Sequence, residues 1–256
     1  MDSQLNAEQW KFFEENGYVR LGRVLSDSEL RKLQERIDAI MLGTAELPYD
    51  RLLMQLDSTT GKYEDAGVQS NGFKGPTLAY RKIQNLEIDP EFRAFLEKPI
   101  FREICANVYG PETTLSCFRA MFMNKPAGQG TWLPWHQDRW NYLDRDPLIT
   151  VWTALDPATV QNGCVQVIDG SHRRGLVNPD HPSGFVAIEQ AAELLRESPI
   201  EYLELEPGEA VLLHNHLLHA SDVNCTNISR RAFSVCYMDG RTAASNGERF
   251  TPLFNA

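Results

Sequence analysis

The chain has 256 residues, enough for one large domain, and its 42% apolar and 23% charged residues exclude a disordered, fibrous or coiled-coil protein. Thirty-five acidic residues against 25 basic ones give a net charge of −10, which disfavours a nucleic-acid backbone or an anionic membrane as partner and leaves small molecules. Five scattered cysteines without Cys-x-x-Cys spacing suggest neither a disulfide framework nor a zinc ribbon.

Asn6 with Gln9 three residues on opens a short helix that Gly17 stops, and Tyr18 to Leu21 follows as a strand. Ser26 with Glu29 starts a second helix, its buried face set by Leu30, Leu33, Ile37, Ile40 and Met41 and its end by Gly43. Thr44 to Pro76, rich in Gly, Asp, Ser and Thr, reads as loops that cover a site. Tyr80 to Leu86 alternates as a strand, Asp89-Pro90 starts a helix, and Pro99 separates it from another that Gly110 ends.

From Thr114 the texture changes to short alternating or apolar runs divided by turn residues. Strands are expected over Thr114 to Asn124, Leu133 to Gln137, Leu148 to Leu155, Cys164 to Ile168, Ile200 to Leu205, Ala210 to His214 and Arg231 to Met238. One helix, Ile188 to Glu197, interrupts them. This order predicts a mainly β protein with flanking helices, built as a double-stranded β-helix (jelly-roll) core on an N-terminal helical buttress. A single domain over 1–256 is expected, with 1–110 as buttress and loops, 111–240 as β-core and 241–256 as a C-terminal tail. No apolar run approaches a membrane span. Polar Met1 to Gln9 and the ending Phe254-Asn255-Ala256 lead to the expectation of a cytoplasmic protein, monomeric or a small homo-oligomer, with no membrane or nucleic-acid partner.

The chemistry is expected at Trp135 to Trp140. His136 and Asp138 are two apart, and on an extended strand such residues project from one face. Two histidines and one carboxylate on one face of an Fe(II) ion leave positions open for reactants, so a distant histidine should complete the set. His172 and His181 read as loop residues. His214, His216 and His219 form a cluster whose spacing alone is also compatible with zinc. After His219 come Ser221, Asn224 and Arg230, the last opening a return strand, and a guanidinium there would offer a fork for a carboxylate. Alternation points Arg231 away from the pocket. Trp135 and Trp140 are equally compatible with lining the entrance and with packing.

His136-Gln137-Asp138, Asn162-Gly163-Cys164, Gly170-Ser171-His172 and His219-x-Ser221-x-x-Asn224 with Arg230, in that order, resemble the phytanoyl-CoA dioxygenase family over roughly Tyr80 to Met238. The resemblance implies His136, Asp138 and His219 as ligands of Fe(II), with Arg230 and Ser221 on the far carboxylate of the cosubstrate 2-oxoglutarate. It further implies Lys82, Met121, Gln137 and Trp152 as pocket residues, with a surface lysine and ordinary core packing as the competing reading of Lys82, Met121 and Trp152. The resemblance also implies O2 as a reactant at the open position of the metal, with succinate and CO2 as the coproducts of substrate oxidation. Related halogenases carry a small residue at the carboxylate position, so Asp138 implies hydroxylation or another oxygen-dependent outcome. The expected function is oxidation, by hydroxylation, of an unactivated C–H bond of a small molecule, with specialised metabolism as the expected setting. The alternatives are an acyl-CoA 2-hydroxylase, which the acidic balance disfavours as the binder of a highly anionic ester, and a non-catalytic metal-binding jelly-roll sensor.

Overall fold

The computed structural model describes residues 5–128, 130–179 and 184–254. Its elements in chain order are α1 (Ala7–Asn16), β1 (Tyr18–Arg23), α2 (Asp27–Leu42), β2 (Leu53–Leu56), β3 (Ser70–Asn71), β4 (Tyr80–Gln84), α3 (Pro90–Leu96), α4 (Pro99–Tyr109) and β5 (Leu115–Lys125). There follow β6 (Leu133–His136), β7 (Ile149–Ala154), β8 (Val165–Ile168), α5 (Ile188–Glu197), β9 (Ile200–Leu203), β10 (Glu209–His214), β11 (His219–Ser221), β12 (Arg230–Asp239) and β13 (Thr251–Phe254). Both predicted capping boxes close, Asn6 with Gln9 and Ser26 with Glu29, and Gly17 and Gly43 end their helices in the left-handed region at φ 83° and 76°.

The strands form two antiparallel sheets. Among the described residues the larger has the order β1-β10-β7-β12-β5-β4-β2-β3, with β13 also on β5, and the smaller is β6-β11-β8-β9. This is the expected jelly-roll with helical buttress. Alternation along β5 and β12 sorts the core into two layers. Phe122 and Phe233 face the helices, where they meet Ile37, Phe92, Phe95 and Phe101, while Met121, Met123 and Ser234 face a cavity between the sheets. On the outer side Arg231 binds Asp156 and reaches Asp38 of α2 at 2.6 Å, tying sheet to helix.

Three segments differ from expectation. Within Thr44 to Pro76, Leu53–Leu56 pairs with β4 and carries β3 on its other side, because backbone pairing along a sheet edge needs no hydrophobic alternation. The segment read as a C-terminal tail returns as β13 beside Cys117 and Ser116. Three-residue β11 is too short to show a period, yet it is the central partner of β6 and β8. The expectation that His181 is a loop residue lies outside the described residues. No helix among them is long and apolar enough to cross a membrane.

Candidate active site

The smaller sheet brings the distant histidine alongside. His219 of β11 is the register partner of His136 of β6, and their ring centroids are 4.1 Å apart. Asp138 does not ride on the strand as the alternation argument assumed: β6 ends at His136, and the chain turns away with the Gln137 amide donating to the Gly184 carbonyl and the Asp138 amide to the Asn215 carbonyl. That turn still delivers the carboxylate, whose oxygens lie 4.0 Å from His136 Nε2 and 3.9 Å from His219 Nε2. One atom from each of His136, Asp138 and His219 falls within 4.8 Å of the others.

Both imidazoles are fixed in the same way. Nδ1 of His136 faces the Pro134 carbonyl at 2.8 Å and Nδ1 of His219 faces the Leu217 carbonyl at 2.9 Å, so each donates from Nδ1 and leaves Nε2 as a lone-pair ligand. Burial, reinforced by neighbouring His219, holds His136 down to about 3, which keeps it in the neutral form that binds metal. Two imidazoles, each with Nε2 turned inward, and a carboxylate converging on one point fit a divalent iron with open positions. His214 and His216 take no part. The His214 Nδ1 accepts the His216 amide at 3.0 Å, and His216 Nε2 turns to Asp146 at 3.4 Å, so the zinc cluster suggested by spacing does not form.

A cavity of about 320 Å³ lies against the triad, bordered among others by Lys82, Met121, Gln137, Trp152, Ser221 and Arg230. Arg230 is 3% exposed, its Nε and Nη1 have no partner within the described protein, and its guanidinium lies 5.3 Å from the centre of the Trp152 ring. Burial pulls it down to about 10, so it remains a cation at neutral pH. A buried cation with two unmatched donors is the counterpart of a carboxylate, which answers the planar fork bidentately. The pocket thus fits 2-oxoglutarate. Lys82, half-buried on β4, is lowered to about 7 by burial and by Arg81 and Arg119.

Other motif residues turn out to hold the scaffold. Gln137 borders the cavity, but its amide is fully engaged: Nε2 donates to the carbonyls of Gly175 and His216, and Oε1 accepts the Val177 amide. Asn162 closes its own turn and Gly163 sits at φ 77°, where a Cβ would come within 2.2 Å of the Asp222 carbonyl. Ser171 accepts the Leu218 amide just before His219, and Asn224 donates to the carbonyls of Lys125 and Pro126 at the end of β5 and of Ile228 just before β12. The two tryptophans separate: Trp135 packs against Ile168, Val186 and Leu218, whereas Trp140 lines the cavity.

Sequence reasoning missed the rest of the wall. Tyr63 of the 44–76 segment meets Phe185 with ring centroids 5.2 Å apart, and Phe185 lies 5.3 Å from His136. Arg81, Arg119 and Arg139 also face the cavity. The alternation of β5 places Arg119 on the same face as Met121, a signal that was available.

Comparison with known proteins agrees with this geometry. A probable phytanoyl-CoA dioxygenase of Caenorhabditis elegans is 28% identical over 245 residues, 92% of this chain and 76% of that protein. EctD from S. alaskensis, in its apoform, superposes with a TM-score of 0.73 at 20% identity over 96% of this chain and 81% of that one, and has also been solved with iron and with 2-oxoglutarate and 5-hydroxyectoine. SnoK, a non-heme alpha-ketoglutarate-dependent carbocyclase from nogalamycin biosynthesis, gives 0.73 at 19% identity over 99% and 95% of the two chains. Residues 13–232 match the family model for phytanoyl-CoA dioxygenase, reaching well upstream of Tyr80, where the motif resemblance began. The chain belongs to the phytanoyl-CoA dioxygenase family and is a dioxygenase dependent on iron and 2-oxoglutarate.

Proposed function

We propose that this enzyme hydroxylates an unactivated C–H bond of a small molecule, with His136, Asp138 and His219 holding Fe(II) and Arg230 holding the far carboxylate of 2-oxoglutarate. The observation that carries the reading is the unmatched, buried guanidinium of Arg230 in the same cavity as the triad. Iron with 2-oxoglutarate supplies the oxidising power for C–H cleavage, with succinate and CO2 as coproducts. The chain's own residues bind and orient. Ser221, two residues beyond His219 and 5% exposed, lies beside Arg230 to share the carboxylate, and Trp152 and Met121 wall the cosubstrate in. Asp138 fills the third protein position at the metal and so favours oxygenation over halide transfer. The Tyr63–Phe185 pair covers His136 and excludes water there.

The test is conversion of 2-oxoglutarate to succinate by the Fe(II)-loaded enzyme, with His219→Ala and Arg230→Ala abolishing it. Undiminished turnover in either variant refutes the assignment. Tight metal binding by the wild type with no turnover under any substrate screen would indicate a binding protein instead. An acyl-CoA 2-hydroxylase is the second reading, favoured by the names of the relatives. It predicts that acyl-CoA thioesters stimulate succinate formation more than small free substrates do. The cavity, at about 320 Å³, is at the low end of small-molecule sites and must hold the cosubstrate as well, which favours the smaller substrate.

A further inference from the structure

The cavity is far more basic than the chain. Arg81, Lys82, Arg119, Arg139 and Arg230 border it against one carboxylate, Asp138, in a protein whose net charge is −10. Among the described residues no carboxylate lies within 4.0 Å of any of the five cations. The cosubstrate carboxylate assigned to Arg230 answers one end of this cluster and leaves the other unanswered.

That other end is built around Arg119. Lys125, the register partner of Arg230, is six residues along β5 from Arg119, roughly 20 Å of strand at about 3.3 Å per residue. Arg119 and Arg230 therefore enter one cavity from backbone positions far apart along its wall. Arg119 lies between two aromatic faces, 4.9 Å from the Phe118 centroid and 4.7 Å from that of Trp140. Phe118 and Trp140 are themselves in edge contact at 4.4 Å. Stacking fixes the plane of the fork and leaves the edge donors that the Tyr142 hydroxyl does not engage to meet a carboxylate. Its polar neighbour is the Tyr142 hydroxyl, which also meets Glu248. Beside it Arg139 donates from Nη1 to the Pro179 carbonyl, while its buried Nε has no partner. Two guanidinium groups, one immobilised on tryptophan and one with an idle buried donor, face the same space.

Resting on the cosubstrate reading above, we infer that the substrate is a small carboxylate, its acid group held by Arg119 and supported by Arg139, far along the cavity wall from Arg230. A neutral substrate would leave these cations unanswered in a partly desolvated site. Anchoring by the acid group would fix which of its carbons lies against the triad, which makes Arg119 a determinant of specificity as well as affinity.

The experiment uses the anaerobic Fe(II)-loaded enzyme saturated with 2-oxoglutarate, so that Arg230 is already occupied. Benzoate, a carboxylate flat enough to lie against Trp140, is titrated against its neutral isostere benzamide, with binding read by calorimetry and tryptophan fluorescence. Benzoate is expected to bind about 10- to 100-fold more tightly than benzamide, the scale of one charge-assisted pair, and Arg119→Gln is expected to erase that preference while Arg119→Lys keeps part of it. The 2-oxoglutarate affinity of Arg119→Gln, read from the absorption band of the Fe(II) complex, should match the wild type and so report an intact fold. Equal binding of acid and amide by the wild type, or a preference that survives Arg119→Gln, overturns the inference. So does benzoate that competes with 2-oxoglutarate, since it would then lie on Arg230. Failure of the wild type to bind 2-oxoglutarate is a separate result and refutes the cosubstrate assignment instead.

Discussion

Replacing Arg230 by methionine should move stability and cosubstrate binding in opposite directions. The substitution keeps most of the apolar stem and removes a buried cation whose Nε and Nη1 have no partner in the protein. Each unmatched buried donor costs about 1–3 kcal/mol, part of which cavity water recovers, and the lost contact with Trp152 returns about 0.5–2 kcal/mol to the other side. The net effect on the apoprotein is a gain of about 1–2 kcal/mol, or a Tm higher by roughly 2–8 °C for a domain of this size. Removing one partner of a buried, hydrogen-bonded charge pair costs about 2–5 kcal/mol in binding, so 2-oxoglutarate should bind roughly 30-fold to several thousand-fold more weakly. Thermal unfolding with chelator present measures the first effect, and anaerobic titration of 2-oxoglutarate into the Fe(II) protein measures the second. An arginine with a structural role would show a lower Tm and a cosubstrate affinity within about two-fold of wild type. That outcome would falsify the carboxylate assignment.

Other perturbations separate the ligands from their neighbours. His219→Ala should abolish stoichiometric Fe(II) binding in anaerobic metal analysis, whereas His216→Gln, whose ring turns to Asp146, should retain it; the reverse order would revive the zinc cluster. Gln137→Ala removes three hydrogen bonds between the turn after β6, the 175–177 segment and the His216 carbonyl, and should lower stability by about 2–4 kcal/mol in urea unfolding. His214 gives a pH signature. Burial, with His172 and His216, lowers it to about 4 from the usual 6.5, so the unfolded chain binds a proton that the folded one refuses between those values. Its contribution is fully present above pH 6.5 and is lost as pH falls towards 4, by about 2–3 kcal/mol. In metal-free protein His214→Phe should flatten the decline of Tm over that window, and an unchanged slope refutes the attribution.

What could be read from the sequence follows from how far each signal reaches along the chain. Caps are local, so Asn6, Ser26, Asp89, Gly17 and Gly43 located the helices closely. Alternation needs several residues, so the long strands were visible while β11, three residues carrying His219 and Ser221, was not. The His136, Asp138 and His219 cluster was legible because the family motif carries these offsets, even though the geometric premise failed and Asp138 reaches the site from a turn. Motif membership could not separate chemistry from scaffolding. Gln137, Asn162, Ser171 and Asn224 belong to the same pattern as the triad, yet their side chains hold turns in place.

Net charge was the least informative quantity, and the reason is the range of the interaction. At physiological ionic strength a charge is screened over about 8 Å, so the acidic surface that produces the total of −10 is largely invisible to a ligand inside the cavity. There the near groups decide, and they are four arginines and Lys82 against Asp138. A disfavour for a highly anionic ester, drawn from the total, therefore does not carry over to the cavity. Cavity volume, not charge, is what weighs against a CoA ester: under the inference above, an anionic group held by Arg119 and Arg139 must belong to a molecule that shares about 320 Å³ with the cosubstrate.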